Sequence, residues 1–419
     1  MVNIIETLSN KEINVTLLAI TLLISSALIC GQIFRKLKLP NVIGEILGGV
    51  VLGPTFLGLI APKLYNNLFF NFQEEGKVIG VFYYIGLIML MFLTGYDLNF
   101  EFKKDNKKTV IALLIGSSLI PFIIGFYVST FFISHFIGEI ANNFIFSILF
   151  GLSTAITSIP VISKIFIDLN IIDTRFAGIM ITSATIEDLI EWLILAVILG
   201  MTTKSMNIVE IVTVFLTTLI VFLFSLLIMP KILSKLDTKI TTSNAFPIIF
   251  CFVYVVVLSF LNINIMYSAL LAGLILKRCF KNQRIEVISN LKNIALVFFI
   301  PLYFSLVGLR VDLINNFNIG RFILFFTIAS LLEIGGVVLS LSFLKMKKES
   351  ILNFALAMNA RGGPGIVLAM VGYEYKIINI EFFTVLILTS ILSSLIAGTW
   401  LRVQKKKDTD MFYRIYKTD

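Results

Sequence analysis

The chain has 419 residues, of which 58% are hydrophobic and only 14% are charged, and its formal net charge is +9. Soluble domains are about 45–50% apolar and about 25% charged, so this composition excludes a soluble enzyme, a secreted disulfide scaffold and a disordered chain. Apolar runs of about 18–25 residues recur along the sequence, and each could cross a hydrocarbon core about 30 Å thick. The chain is therefore predicted to be an all-α polytopic membrane protein.

Hydropathy predicts thirteen membrane-spanning helices, numbered here as spans 1 to 13. In chain order they cover residues 14–34, 41–60, 78–99, 109–134, 143–168, 177–201, 207–229, 246–262, 265–279, 292–309, 320–344, 351–372 and 379–401. The joint between spans 8 and 9, near Asn262–Asn264, is weak, and merging the two would give twelve spans and reverse half of the topology. Since the loops are short and no low-complexity linker interrupts the chain, residues 1–419 are expected to form one transmembrane domain without a soluble regulatory domain.

The positions of Lys and Arg favour thirteen spans over twelve. If successive loops alternate between the two sides of the membrane, one side holds 26 of these residues and the other holds 7, with Arg361 inside a span. Cytoplasmic loops carry an excess of positive residues, so the N-terminus is predicted to lie outside the cell membrane and the C-terminus in the cytoplasm. Topology then accounts for the net positive charge, and no nucleic-acid partner is expected.

Span 5 is interrupted by two hydroxyl residues and a proline, Thr157, Ser158 and Pro160. A proline inside a helix frees backbone carbonyls, which beside hydroxyl groups provide oxygen ligands for a small cation. The alternative is a simple proline kink whose freed groups are satisfied by neighbouring helices. Broken backbone at membrane depth is tolerated only where it lines a cavity or is buried in protein.

Span 6 contains the densest group of charges, Glu187, Asp188 and Glu191. Glu187 and Glu191 share a helix face, while Asp188 is rotated about 100° from Glu187. Each charge at the bilayer centre costs at least about 2.5–3.5 kcal/mol, so at least one of these groups is expected to hold a proton near neutral pH. Such a carboxylate can hold either H⁺ or a metal cation. The alternative is a set of carboxylates that face a water-filled vestibule or pair with Lys and Arg.

Span 12 is interrupted by the string NARGGPG at residues 359–365, whose helix breakers are Gly362, Gly363 and Pro364. Spans 5 and 12 are the middle members of the triplets 4–6 and 11–13. Corresponding interrupted helices in two halves are typical of inverted-repeat transporters, whose site lies where the broken helices cross. The predicted fold is therefore an inverted repeat with two broken crossing helices.

At these residues the chain resembles, from end to end, the monovalent cation:proton antiporters of the Kef/Nap-type branch. The matching strings are residues 39–58, 89–98, 153–166, 183–196, 301–313 and 358–369. The resemblance implies a sodium/proton antiporter-like fold that works as a homodimer, with a mobile core domain that moves in an elevator-like manner. The core helices would cover roughly 78–201 and 292–401, and the remaining helices would form the scaffold and the dimer surface.

By motif, Asp188 corresponds to the ion-binding aspartate of the family, and Glu187 stands where relatives carry Asp or Asn. Relatives often carry a lysine in the middle of span 11, where this chain has Glu333 as its ionisable residue. Two acids thus replace an acid–base pair. If Glu187 and Glu333 are close, they are expected to share a proton or to pair with Arg361 or Lys164, and the stoichiometry depends on which arrangement holds.

The expected function is exchange of Na⁺ or K⁺ for protons, with Asp188 as the site that holds either ion. Glu187, Thr157, Ser158 and freed carbonyls would help to bind the cation. The supporting charges would be Arg361, Glu333, Glu191 and Lys164, although a purely structural role for Arg361 fits equally well. No cofactor and no enzymatic activity are expected; the partners are monovalent cations, protons and the lipid bilayer. Two alternatives stay open: a cation efflux channel or uniporter on the same scaffold, and a transport-dead sensor.

Overall fold

The computed structural model describes residues 8–37, 40–70, 73–97, 106–202, 208–235, 243, 245–261, 263–280, 285–408 and 412–416. Nearly all of these residues are helical, and the β pairing in these ranges consists of two isolated bridges, Ile137–Ile378 and Met346–Tyr416. The predicted all-α class is therefore confirmed.

The helices divide into two compact units, the first of which comprises residues 1–97 and 222–315. Its helices are α1 (Asn10–Lys36), α2 (Asn41–Leu52), α3 (Gln73–Asp97), α10 (Phe246–Ser259), α11 (Ile265–Phe280), α12 (Ile285–Ile294) and α13 (Ile300–Leu309). Short helices Leu57–Ile60, Pro62–Phe69 and Met229–Leu233 and the π-helical turn Ala295–Phe299 complete its described helical segments.

The second unit comprises residues 98–221 and 316–419. Its helices are α4 (Lys107–Leu114), α5 (Ile120–Val128), α6 (Asn143–Ala155), α7 (Ile159–Asp168), α8 (Arg175–Met201), α14 (Ile319–Ser342), α15 (Lys348–Met358), α16 (Gly362–Glu374) and α17 (Ile380–Lys407). A π-helical turn, Ile115–Leu119, joins α4 to α5, and two short helical segments, Ser129–Phe131 and Ile133–Phe136, follow α5. The boundary between the units falls within α9 (Ile208–Leu227).

Among the described residues, ten helical segments are long and apolar enough to cross a membrane. They are Asn10–Lys36, Asn41–Ile60, Gly76–Asp97, Lys107–Phe131, Asn143–Asp168, Val212–Leu233, Val287–Leu309, Ile319–Ser342, Lys348–Glu374 and Ile380–Lys407. Helices also occupy the three other predicted positions, but α8 carries three carboxylates, and α10 and α11 have only 14 and 16 residues. The count of thirteen crossings thus stays a prediction.

The first unit includes two helices that the resemblance assigns to the core domain, α3 and α13. For α13, the reason is a close backbone approach to α2. A Cβ atom added at Gly49 would lie 1.9 Å from the Ser305 carbonyl oxygen, and one added at Gly308 would lie 1.9 Å from the Ile46 carbonyl oxygen. Only glycine allows helices to pack this closely, so α13 belongs with α2. The functional division into core and scaffold stays a proposal.

The second unit contains both predicted breaks. The first interrupts the helix after Ala155 and ends at Ser158, and the second separates Met358 from Gly362. Pro160 and Pro364 each lie in the first turn of the following helix, α7 and α16. Proline is favourable there because the first N–H groups of a helix have no partner within the helix. The breaks thus occur at the predicted positions, immediately before the prolines.

Candidate functional site

The two breaks contact each other directly. The backbone N–H of Ser158 donates to the Ala360 carbonyl at 2.7 Å, and the Thr157 hydroxyl donates to the Met358 carbonyl at 3.0 Å. Gly362 has φ +41°, and a Cβ atom there would lie 2.6 Å from Ser158 Oγ. The crossing therefore holds two non-helical segments together through their own backbone groups.

Helix ends inside a membrane need partners because their terminal groups lack hydrogen bonds within the helix. At the start of α7, Ser158 Oγ accepts from the Val161 N–H at 3.4 Å and caps the helix. At the second break, the N–H groups of Arg361 and Gly362 donate to hydroxyls of α17, Ser393 at 3.3 Å and Ser394 at 3.2 Å. These hydroxyls make the broken backbone possible in an apolar surrounding.

A buried ion pair lies beside the crossing. Arg361 Nη2 contacts Glu333 Oε2 at 2.7 Å, and the two side chains are 1% and 0% exposed. The same nitrogen donates to the Ala329 carbonyl at 3.0 Å and to the Thr154 carbonyl at 3.3 Å. Of the pairings that the sequence leaves open for Glu333, the structure has the one with Arg361. The pair links α14 to the ends of both broken helices.

Three carboxylates of α8 are buried near this pair. Glu187 accepts a hydrogen bond from Ser118, and the hydroxyls of Ser117 and Thr157 also lie close to it. Asp188 is 0% exposed, and neither of its carboxylate oxygens has a hydrogen-bond partner among the described residues. Glu191 is likewise buried, and the Thr157 backbone lies close to its carboxylate.

The buried charges of the second unit do not balance. Its described buried residues include four carboxylates and a single guanidinium, Glu187, Asp188, Glu191, Glu333 and Arg361. The carboxylates of Glu187, Asp188 and Glu333 all lie close enough to repel that of Glu191. Since Arg361 offsets Glu333, full ionisation would leave three negative charges in protein of low dielectric constant. Such charges are stable only when protons or cations offset them.

Other residues predicted for the site have partners of their own in the structure. Lys164 is not beside the carboxylates: its side chain is 44% exposed and pairs with Asp168 on its own helix at 2.6 Å. The reason is the four-residue spacing of this pair on α7, which places both side chains on an exposed face. Within the described chain, neither Thr157 nor Ser158 donates a hydrogen bond to Asp188. The Thr157 hydroxyl lies instead 3.2 Å from Glu333 Oε1, in addition to its Met358 contact.

Ser117 and Ser118, whose hydroxyls lie near Glu187, are absent from the site residues predicted from the sequence. They lie on the π-helical turn Ile115–Leu119, shortly before Pro121. Hydroxyl residues followed by a proline within one apolar span form the same pattern that marks span 5, so this signal was present. π-Helical turns inside α-helices often occur at functional sites.

Asn359, in the second break, is also absent from the predicted set. It is buried, and its Oδ1 has no hydrogen-bond partner among the described residues, while its Nδ2 donates to Ser330 Oγ at 3.3 Å. No group of three or more His, Cys, Asp or Glu side chains in the described ranges is arranged to hold a metal ion.

Comparison with known proteins finds relatives that match nearly the whole chain. The Na⁺/H⁺ antiporter NhaS4 of Synechocystis sp. is 25% identical over 393 residues, which is 90% of this chain and 94% of that protein. A Na⁺/H⁺ antiporter of Enterococcus hirae is 27% identical over 395 residues, 92% of this chain and 97% of the relative. The solved structure of the sodium proton antiporter MjNhaP1 from Methanocaldococcus jannaschii has the same fold, with a TM-score of 0.66, 18% identity, and coverage of 94% of this chain and 99% of that one.

The family model described as sodium/hydrogen exchanger, transmembrane, matches residues 23–404. This range contains both broken helices and the five buried residues Glu187, Asp188, Glu191, Glu333 and Arg361 described above. With nearly the whole chain matched, and with relatives aligned over almost their full length, the chain belongs to the sodium/hydrogen exchanger family.

Proposed function

We propose that this protein exchanges a monovalent cation for protons across the cell membrane by alternating access, and that Asp188 holds either ion. The observation that carries the proposal is the environment of Asp188, which is fully buried with neither oxygen bonded to a described residue. An uncompensated buried carboxylate costs several kcal/mol. Asp188 is therefore stable when a proton or a cation neutralises it.

Competition for one carboxylate couples the two ions. Deprotonated Asp188 binds the cation, and protonation releases it, so each ion leaves when the other binds. Because the two ions exclude each other, the cation gradient and the proton gradient drive one another. Both relatives named above are Na⁺/H⁺ antiporters, which makes Na⁺ the first cargo to test, with K⁺ second.

Neighbouring oxygens complete the proposed cation site. Glu187 adjoins Asp188 in the chain, and Ser118 holds its carboxylate through a hydrogen bond. The Thr157 hydroxyl donates its proton to the Met358 carbonyl, which leaves its oxygen lone pairs for a cation. Hard cations favour carboxylate, carbonyl and hydroxyl oxygens of this kind. Ser158 contributes by capping α7 at the crossing.

The Glu333–Arg361 pair supports the site without exchanging ions. Three hydrogen bonds from one guanidinium nitrogen fix Arg361 between α14 and the ends of the broken helices. A pair fixed in this way keeps its own charge balance, so the three acids of α8 are the groups that need protons or cations. The homodimer, the membrane orientation and the elevator-like motion of a core domain are further parts of this proposal.

Vesicle transport tests the proposal. The full chain is reconstituted with a pH-sensitive dye inside, the interior is made acidic, and Na⁺, K⁺ or Li⁺ is added outside. An exchanger makes the interior more alkaline when its cation is added. A channel or uniporter moves the cation even without a proton gradient, and a transport-dead protein gives no response, so either result contradicts exchange.

The variant Asp188→Asn tests the assigned carboxylate. It keeps the size of the side chain but cannot hold a proton or a cation by charge, so exchange is expected to fall to the background of empty vesicles while the protein elutes as a folded species. The matched control is Asp168→Asn, because Asp168 lies in the surface pair with Lys164 and is expected to retain wild-type exchange. Retained exchange in Asp188→Asn would overturn the assignment.

A further inference from the structure

Residues 412–416 form a short segment that packs against one end of the second unit. Phe412 and Ile415 are fully buried, and the Phe412 ring lies 5.3 Å from the Phe176 ring at the start of α8. The Ile415 carbonyl accepts a hydrogen bond from the Lys347 N–H at 3.1 Å. The segment is thus held by side chains and backbone together, and it places Tyr416 between other helix ends.

Tyr416 joins the beginnings of two helices. Its hydroxyl lies 2.5 Å from the Thr109 hydroxyl in the first turn of α4. The Arg175 guanidinium, on the first residue of α8, lies over the Tyr416 ring at 4.5 Å from the centroid. Arg175 Nε also donates to Asn106 Oδ1 at 3.0 Å, immediately before α4. These contacts connect α4 and α8 at their first turns.

The same two helical runs meet again at the buried site. Ser118 follows α4 on the π-helical turn Ile115–Leu119, and Glu187 lies on α8; the two are hydrogen bonded. A π-helical turn contains an extra residue relative to an α-helical turn. The positions of its side chains therefore depend on how the flanking helices, here α4 and α5, are fixed by their own contacts. The contacts between the first turns of α4 and α8 therefore influence the position of Ser118 relative to Glu187.

We propose that Tyr416 is a positioning residue for the exchange site: it fixes α4 against α8 at their first turns and thereby sets where Ser118 meets Glu187. The inference rests on the proposed function, because it gives Glu187 a part in cation binding. Tyr416 touches neither ion. Its effect reaches the site through Ser118, whose hydroxyl donates a hydrogen bond to the Glu187 carboxylate.

The first test replaces the hydroxyl alone. Tyr416→Phe keeps the ring under Arg175 but removes the contact with Thr109. The apparent KM for Na⁺ in the vesicle assay is expected to rise about threefold to tenfold, the range for one lost hydrogen bond, while the maximal rate changes less than about twofold. Thr109→Val removes the other partner and is expected to give the same change. Tyr413→Phe, at a position 50% exposed in the same segment, is the control and is expected to match wild type.

A double-mutant cycle tests the route through Ser118. Ser118→Ala is expected to raise the KM for Na⁺, and Tyr416→Phe is expected to add no further change in that background. Independent, multiplicative effects on KM would overturn the inference, and so would a loss of rate that merely follows a loss of thermal stability. If Tyr416→Phe does not fold, Thr109→Val takes its place in the cycle.

Failure of the two proposals can be distinguished. If the wild-type protein shows no cation-driven alkalinisation, the exchange function itself is wrong. If the wild type exchanges and Asp188→Asn does not, but Tyr416→Phe and Thr109→Val leave the KM unchanged, then only the role of Tyr416 is wrong.

Discussion

Two adjacent glycines in the second break have different physical roles. Gly362 has φ +41°, and a Cβ atom there would lie 2.4 Å from Val161 Cγ2 and 2.6 Å from Ser158 Oγ. At Gly363 an added Cβ atom would meet no atom within 4 Å. Both glycines belong to the helix-breaking string at residues 359–365. Their different roles become evident only from the backbone conformation and the surroundings of each residue.

Gly362→Ala is expected to destabilise the protein by about 1–3 kcal/mol, the cost of a left-handed conformation in a residue with a side chain. Steric contact with Ser158 adds to this cost and forces the two breaks apart, so exchange is expected to be lost as well. Thermal unfolding in detergent and the vesicle assay measure the two effects.

Gly363→Ala is the matched control. Alanine favours a helix over glycine by about 1 kcal/mol, and the position is open, so the variant is expected to be at least as stable as wild type and to retain exchange. Equal losses in the two variants would show that the left-handed conformation of Gly362 is not what the break requires.

The identities of the buried acids could be predicted from the sequence, but their partners could not. A carboxylate within an apolar run is evident from composition, as Glu187 and Asp188 show. Arg361 and Glu333 are 28 residues apart in the chain. Whether Glu333 shares a proton with Glu187 or pairs with Arg361 or Lys164 depends on how the helices pack. Lys164 illustrates this limit, because its acid partner lies one turn away on its own helix.

At the scale of the element, helix breaks were predictable because their cause is local. Pro160 and Pro364 cannot continue a preceding helix, and each lies in the first turn of the helix that follows its break. What the breaks bond to is non-local: Ser158 contacts Ala360, and Gly362 contacts Ser394 on α17. These contacts come from the tertiary fold, and no spacing in the sequence encodes them.

Two loops of the second unit, one around Gly138 and one around Lys376, are joined by a hydrogen bond and an ion pair. The Gly138 N–H donates to the Ile377 carbonyl at 2.8 Å, and Lys376 Nζ lies 2.6 Å from Glu139 Oε2. The hydrogen bond from Lys376, together with its charge, holds the pKa of Glu139 below its ordinary value of 4.5. A carboxylate with a lowered pKa in the folded state stabilises the fold above its unfolded pKa, and this contribution is lost as the pH falls through the folded value.

Glu139→Gln is therefore expected to lower the Tm slightly, by about 1 °C at pH 7 and low salt, because exposed ion pairs contribute little. The difference from wild type is expected to shrink as the pH falls from 5 towards 3, where Glu139 itself becomes protonated, and also in 1 M salt. Differential scanning fluorimetry across this pH range measures the effect. A difference that persists unchanged at pH 3 would mean that charge is not its origin.

At the scale of the whole molecule, the fold class and the positions of the helices followed from composition and periodicity. The division of the described helices into two compact units, with α3 and α13 in the first, was not evident from the sequence; the functional division into core and scaffold stays a prediction. The place of α13 beside α2 depends on close backbone approach at Gly49 and Gly308. Glycines within an apolar run have the same appearance whether they pack against one helix or another, so sequence alone does not identify their partner.

The balance of buried charge leads to a prediction about stoichiometry. Glu333 and Arg361 offset each other, and the three acids of α8 have no cationic partner among the described buried residues. The cluster avoids an extra uncompensated buried charge only if its net charge is the same in both loaded states, which requires one cation to replace one proton at Asp188. Exchange is then expected to be one-for-one and electrically neutral.

A membrane potential tests this expectation in the vesicle assay with Na⁺ as cargo. One net charge moved through 100 mV gains about 2.3 kcal/mol, a factor of about fifty in the gradient that exchange can build. Neutral exchange is expected to change by less than about twofold when a K⁺ diffusion potential of about 100 mV is imposed with valinomycin. Alkalinisation that scales with the potential would contradict one-for-one exchange and would indicate a second proton. The variant Glu187→Gln would then identify the carrier of the second proton. It should remove the dependence on potential if Glu187 carries that proton, and it should leave the dependence intact if Glu191 does.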